Sequence, residues 1–73
     1  MSDADAAERI KIVYALVVNH YYDIARKHVA DACDYQLSEK FREAFVTVKD
    51  LAEKAQTGKA EDYLAEFIRN NQI

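Results

Sequence analysis

IKIVYALVV, residues 10–18, is the stretch on which the class of fold turns. Its isoleucines and valines would suit a β-strand. A lone strand has no partner elsewhere in this chain, except across a dimer. The residues around it repeat at helical spacing instead. At 100° per residue, Ala6, Ile10, Val13, Tyr14, Val17, Tyr21, Ile24, Ala25 and Ala32 fall on one broad face. His20 and His28 fall on or beside that face, and Val18, Tyr22, Val29 and Cys33 widen it on one flank. Glu8, Arg9, Asn19, Asp23, Arg26 and Lys27 lie opposite. The pattern predicts one long helix over residues 3–33, with room for a bend near Asn19–His20. Ser2 is placed to cap it, with Asp3, Asp5 and Glu8 complementing the positive end of its dipole.

Composition supports an all-α chain. There are no prolines, one glycine (Gly58) and twelve alanines, so strong helix formers far outnumber helix breakers. Asp34–Leu37 reads as a connection and Ser38 as the cap of a second helix, residues 39–56. Its buried stripe is Phe41, Ala44, Phe45, Val48, Leu51, Ala52 and Ala55, the i, i+3, i+4, i+7 steps of a one-sided helix. Asp50 and Lys54 form an i, i+4 pair on its wet face. Thr57-Gly58-Lys59 is expected to end it, with Gly58 in the left-handed conformation common just past a helix. A third helix, residues 60–69, would bury Tyr63, Leu64, Phe67 and Ile68. The expected architecture is a single domain over 1–73: a small three-helix fold whose long first helix packs on an antiparallel hairpin.

A chain of 73 residues buries only roughly 60% of the surface its unfolded form exposes. The single cysteine, Cys33, allows no disulfide framework and fits a reducing compartment. Oligomerisation is therefore the expected source of added stability. The net charge of −3 and pI of about 5.2 do not match an electrostatic nucleic-acid binder, which carries a basic excess. The acidic start MSDADAAER lacks the order of a signal peptide. The longest apolar run, Ile12–Val18, falls well short of the ~20 residues that span a bilayer. A cytoplasmic protein without membrane attachment is expected.

No catalytic, cofactor or metal site is expected either. His20 and His28 stand about 12 Å apart along a continuous helix, too far to share one ion. His20 with Asp23, or His28 with Asp31, supplies only two ligands. Cys33 and His28 fall on different sides of a helix. No glycine-rich phosphate loop or paired buried carboxylate is present. The histidines and Tyr14, Tyr21 and Tyr22 read as core-edge residues with wet polar tips.

Ile12 and Leu16 stand apart from this scheme, among charged residues and outside the broad face. Together with Val18 and Tyr22 on the flank, they make the first helix apolar over more than its neighbours can cover. Such clusters mark interfaces. Ile12, Leu16, Val18 and Tyr22, with Arg9 and Lys27 at the rim, are the candidate partner-binding residues. The expected partners are a second copy of the chain and a larger protein, with no small-molecule substrate. This is the profile of an adaptor, regulator or inhibitor. The alternative is a nucleic-acid-associated regulator using Arg9, Lys11, Arg26 and Lys27.

The segment YQLSEKFREAFVTVKD, Tyr35 to Asp50, and the terminal EFIR, Glu66 to Arg69, are similar to the later part of the small haemolysin-expression-modulating proteins. The resemblance covers under a third of the chain. It implies an all-helical protein of similar length that acts by binding a nucleoid-associated partner. The first helix lacks the family's basic, cysteine-containing segment, so no functional residue is carried over.

Overall fold

The computed structural model describes all of residues 1–73. Four helices carry the chain: α1 (Asp3–Val18), α2 (Tyr22–Cys33), α3 (Glu39–Glu53) and α4 (Thr57–Asn71), with no strand. The all-helical expectation holds, and IKIVYALVV is helical throughout. The three-helix count does not hold. The segment expected to form one helix over 3–33, with room for a bend near Asn19–His20, turns back fully at Asn19–Tyr21. The hairpin helices also differ from their expected bounds: α3 stops at Glu53, and α4 already begins at Thr57. Consecutive helices pack on one another, and α4 closes the ring against α1. No helix is long and apolar enough to cross a membrane.

Dimensions explain why the first segment folds back. A continuous helix over residues 3–33 would be about 46 Å long, whereas the molecule's longest extent is 27 Å. Much of its apolar face would overhang the hairpin and meet water. Breaking it lets α1 and α2 each lie against the α3–α4 pair. The break also resets the angular phase. The buried residues of α1 are Ala6, Ile10, Val13 and Val17, and those of α2 are Ala25, Val29 and Ala32. On a single helical wheel the second set is rotated from the first by roughly 100°, one residue's turn. Val29 therefore moves from flank to core, and Ile24 moves from core to surface.

Three helices end in the same way. After α1, His20 is left-handed (φ 65); its N–H donates to the Val17 carbonyl, and the Tyr21 N–H donates to the Leu16 carbonyl. After α3, Ala55 (φ 56) and Gln56 repeat the two bonds to Ala52 and Leu51. After α4, Gln72 (φ 55) and Ile73 repeat them to Arg69 and Ile68. This is the Schellman closure, in which a left-handed residue lets the chain satisfy the last helical carbonyls. Glycine usually holds that place, and here none does. Gly58, expected to end the second helix, instead lies in the first turn of α4 without a left-handed φ. The terminator is Ala55.

Capping at the helix starts is uneven. Ser2 accepts a hydrogen bond from the Asp5 N–H at 3.1 Å, as expected. Ser38 occupies the N-cap position of α3, but its side chain makes no capping bond. Neither α2 nor α4 has a side-chain cap.

The largest fully buried side chains are Phe41, Phe45, Ile10, Leu64 and Val13. Burying a side chain of this kind contributes about 1.5–3 kcal/mol. Ala6, Ala25, Ala32 and Ala44 fill the spaces between them. No polar or charged residue is buried. Phe67 meets Phe41 edge-on with ring centroids 5.8 Å apart, joining α4 to α3.

Candidate functional site

Of the six large apolar side chains left exposed, five lie between Ile12 and Tyr35 and only Val46 lies beyond. Any apolar interaction surface therefore belongs to the α1–α2 half. Arg9 is its centre. It sits on α1 with its side chain only 21% exposed. Nη1 donates to Oδ2 of Asp31 at 2.9 Å and to the His28 carbonyl at 3.2 Å, both on α2. Arg9 thus clamps the two helices together, so at the surface it is a fixed charge rather than a free one.

Arg9 also lines two shallow depressions. One is bounded by Ile24, Lys27, His28 and Asp31. The other is bounded by Met1, Asp5, Glu8, Ile12 and Tyr35. Ile12 is 43% exposed, Ile24 47% and Tyr35 48%. Three apolar groups thus stand around a paired arginine, with Lys27 exposed at one margin.

The six residues chosen from sequence do not form one patch. Arg9, Ile12 and Lys27 share the surface just described. Leu16 is half-buried against the core. Val18, 40% exposed, is the last residue of α1, on a different side of that helix from Ile12 by its 100° spacing. Tyr22 is half-buried and turns towards Val48 and Ala60 of α3 and α4. Its hydroxyl hydrogen-bonds with Nδ1 of His20. Ile24, Tyr21 and Tyr35 were missed as surface groups. Ile24 and Tyr21 are assigned to the buried face only by carrying one helical phase across Asn19–Tyr21. The single available signal for the break was Asn19-His20, two residues tolerant of helix-end conformations.

Several of the charged residues singled out above are paired. Lys11 pairs with Glu8 at 3.2 Å, Arg26 pairs with Asp23, and Lys54 with Asp50 at 3.0 Å. Asp31 serves Arg9 rather than His28, and Asp23 serves Arg26 rather than His20. No three His, Cys, Asp or Glu side chains are grouped to hold a metal ion. Cys33 is half-buried. Burial pushes its thiol pKa above the ordinary value, Lys49 opposes that and Asp34 adds to it.

One apolar cavity lies where α2, α3 and α4 meet, lined by Val17, Tyr22, Ala25, Val29, Val48 and Ala52 among others. Its volume of about 30 Å³ holds no more than a water or two.

No family model, curated protein or solved structure matches this chain. The likeness of Tyr35–Asp50 and Glu66–Arg69 to the haemolysin-expression-modulating proteins therefore rests on those residues alone.

Proposed function

We propose that this protein is a small non-enzymatic interaction module, an adaptor, regulator or inhibitor that binds a larger protein and pairs with its own copy. The observation that carries this reading is the surface around Arg9. Ile12, Ile24 and Tyr35 stand exposed there although the core beneath is complete without them. Apolar and tyrosine side chains beside a fixed arginine make up the composition enriched at the centres of protein interfaces. Binding would act by occlusion or bridging, since the face offers contacts and no reactive group.

The nucleic-acid reading is the weaker of the two. Of the four basic residues it needs, Arg9, Lys11 and Arg26 are paired with acids, leaving Lys27. The exposed pairs are weak in themselves, but their carboxylates cancel the positive charge on which phosphate binding depends.

The test is the Ile12→Glu variant, because Ile12 can be changed without touching the core. The expected result is a folded protein, by circular dichroism, whose light-scattering mass falls from dimer to monomer and which no longer retains its larger partner. A variant that keeps the wild-type mass and partner would remove this face from the function.

A further inference from the structure

We infer that Asn19–Tyr21 is a hinge through which two copies exchange α1, each chain straightening into one helix over residues 3–33. The inference builds on self-association as proposed above but assigns it a different contact. Four observations carry it.

The first is the sequence of the break itself. Nothing in Asn19-His20-Tyr21 forbids a helix, since it contains neither proline nor glycine. The second is strain. His20, a residue with a Cβ, is held at φ 65, where a non-glycine side chain crowds the following carbonyl. Short connections under strain favour domain exchange.

The third is unmet hydrogen bonding. The N–H groups of Tyr22, Asp23 and Ile24 have no partner in the folded chain, because α2 lacks a side-chain cap and its first bond is Ala25 N–H to Tyr21 carbonyl. In a continuous helix they would donate to the carbonyls of Val18, Asn19 and His20. The fourth is the position of the surplus apolar groups. Tyr21 (58% exposed) and Ile24 (47%) flank the hinge. In a straightened helix they fall in line with Val13 and Val17 of the buried face.

Length opposes a straight helix in one copy and favours it in two. The overhanging half, uncovered in a monomer, would lie against the α2–α4 surface of the second chain. Every contact α1 now makes with its own chain would be made with the partner. The Arg9–Asp31 pair at 2.9 Å would then join two molecules. The equivalent break at Ala55 shares the left-handed residue and the uncapped helix that follows, but it differs in what surrounds it. Straightening it would move Gly58 from the first turn of α4 to the interior of a longer helix, at a cost of about as much as the strain relieved, and no exposed large apolar residue stands beside it.

The test uses hinge variants that leave the core untouched. His20→Gly relieves the left-handed residue and favours the folded-back form. Asn19→Ala/His20→Ala keeps the strain and favours the helix. After refolding from denaturant at high protein concentration, the dimer fraction by light scattering should rise from His20→Gly through wild type to the double variant. His20→Gly should weaken dimerisation by roughly thirtyfold or more, since two hinges act per dimer. Arg9→Asp and Asp31→Arg, each made in the double variant, then identify the contact. Either alone sets like charges face to face. Refolded together, they should form mixed dimers above the statistical share, by native mass spectrometry, because exchange restores both pairs. Three outcomes would overturn the exchange: monomers throughout, mixed dimers only at the statistical share, or a dimer indifferent to the hinge variants. A dimer indifferent to the hinge yet dispersed by Ile12→Glu would leave the surface reading standing. A hinge-dependent dimer that Ile12→Glu leaves intact would support exchange and remove the Arg9 face from self-association.

Discussion

Both hairpins of the bundle turn through the same two capping bonds around a left-handed residue, His20 after α1 and Ala55 after α3, yet they divide their apolar side chains differently. The α3–α4 pair places Phe41, Phe45 and Leu64 wholly inside and exposes one large apolar residue, Val46. The α1–α2 pair meets it without a buried aromatic ring, through Ile10, Val13, Val17, Val29 and three alanines, and leaves Ile12, Val18, Tyr21 and Ile24 in water. One hairpin supplies the aromatic rings of the core. The other closes that core with one face and keeps apolar surface to spare on the next. Exposed large apolar groups gather on the first hairpin, with Val46 alone on the second, and that asymmetry is what the proposed binding face rests on.

The largest test of this division is Phe45→Ala. Removing a wholly buried ring costs about 3–5 kcal/mol, against a total near 5–15 kcal/mol for a small domain. Urea denaturation should show the variant close to unfolded. A loss below about 1 kcal/mol would mean that the core does not depend on the second hairpin. Truncating the first hairpin's Ile24 to alanine should change stability by no more than about 0.5 kcal/mol by the same measurement. A large loss there would show the residue to be structural and the contrast false.

A smaller effect sharpens the comparison of the turns. Ala55→Gly removes the Cβ from a left-handed residue and should stabilise by about 1 kcal/mol. Gly58→Ala should add roughly 0.4–1 kcal/mol, because its φ is not left-handed and a Cβ there meets nothing within 4 Å. The chain thus keeps its one glycine three residues from where the turn would use it. His20→Gly should gain less than Ala55→Gly, since it also removes the hydrogen bond to Tyr22. Equal gains in urea midpoint would show that bond to be without weight.

The smallest effect is electrostatic. The folded state holds the Cys33 proton more tightly than the unfolded state, because burial raises the pKa. Its contribution is complete below the unfolded thiol's pKa and declines as pH rises through that value towards the folded one. Wild type should therefore lose more thermal stability than Cys33→Ala between neutral and mildly alkaline pH. Parallel melting curves would place the thiol in effectively aqueous surroundings.

Sequence patterning was most informative where one helix phase applied throughout. Phe41, Ala44, Phe45 and Val48 occupy the core as their spacing requires, and so do Ala6, Ile10, Val13 and Val17. Ser2 and the Asp50–Lys54 pair also take their expected roles. The place of the break at Asn19–Tyr21 is legible as room for a bend, but the full reversal is not, because its cause is the limited length of the surface the helix must cover. That is a tertiary quantity, and Asn19-His20 marks only where a bend is tolerated. The shift of phase across the break exposes Ile24 and buries Val29, while Ala25 and Ala32 lie in the core on either phase. At the candidate site, Ile12 was legible as an apolar group among charges. Arg9 was legible only as a charge, since its bond to the His28 carbonyl requires α2 to fold back.

The absence of any polar group in the interior has a consequence for how this protein can change over generations. A buried amide or ion pair ties its neighbours to particular identities, because each must answer a specific donor or acceptor. Here the inside asks only for volume and apolarity, and exchanges among leucine, isoleucine and methionine in such a core cost less than about 1.5 kcal/mol. The interior is free to drift in sequence while the fold persists. Any lasting signature of ancestry would have to be written on the outside, in whatever the protein touches.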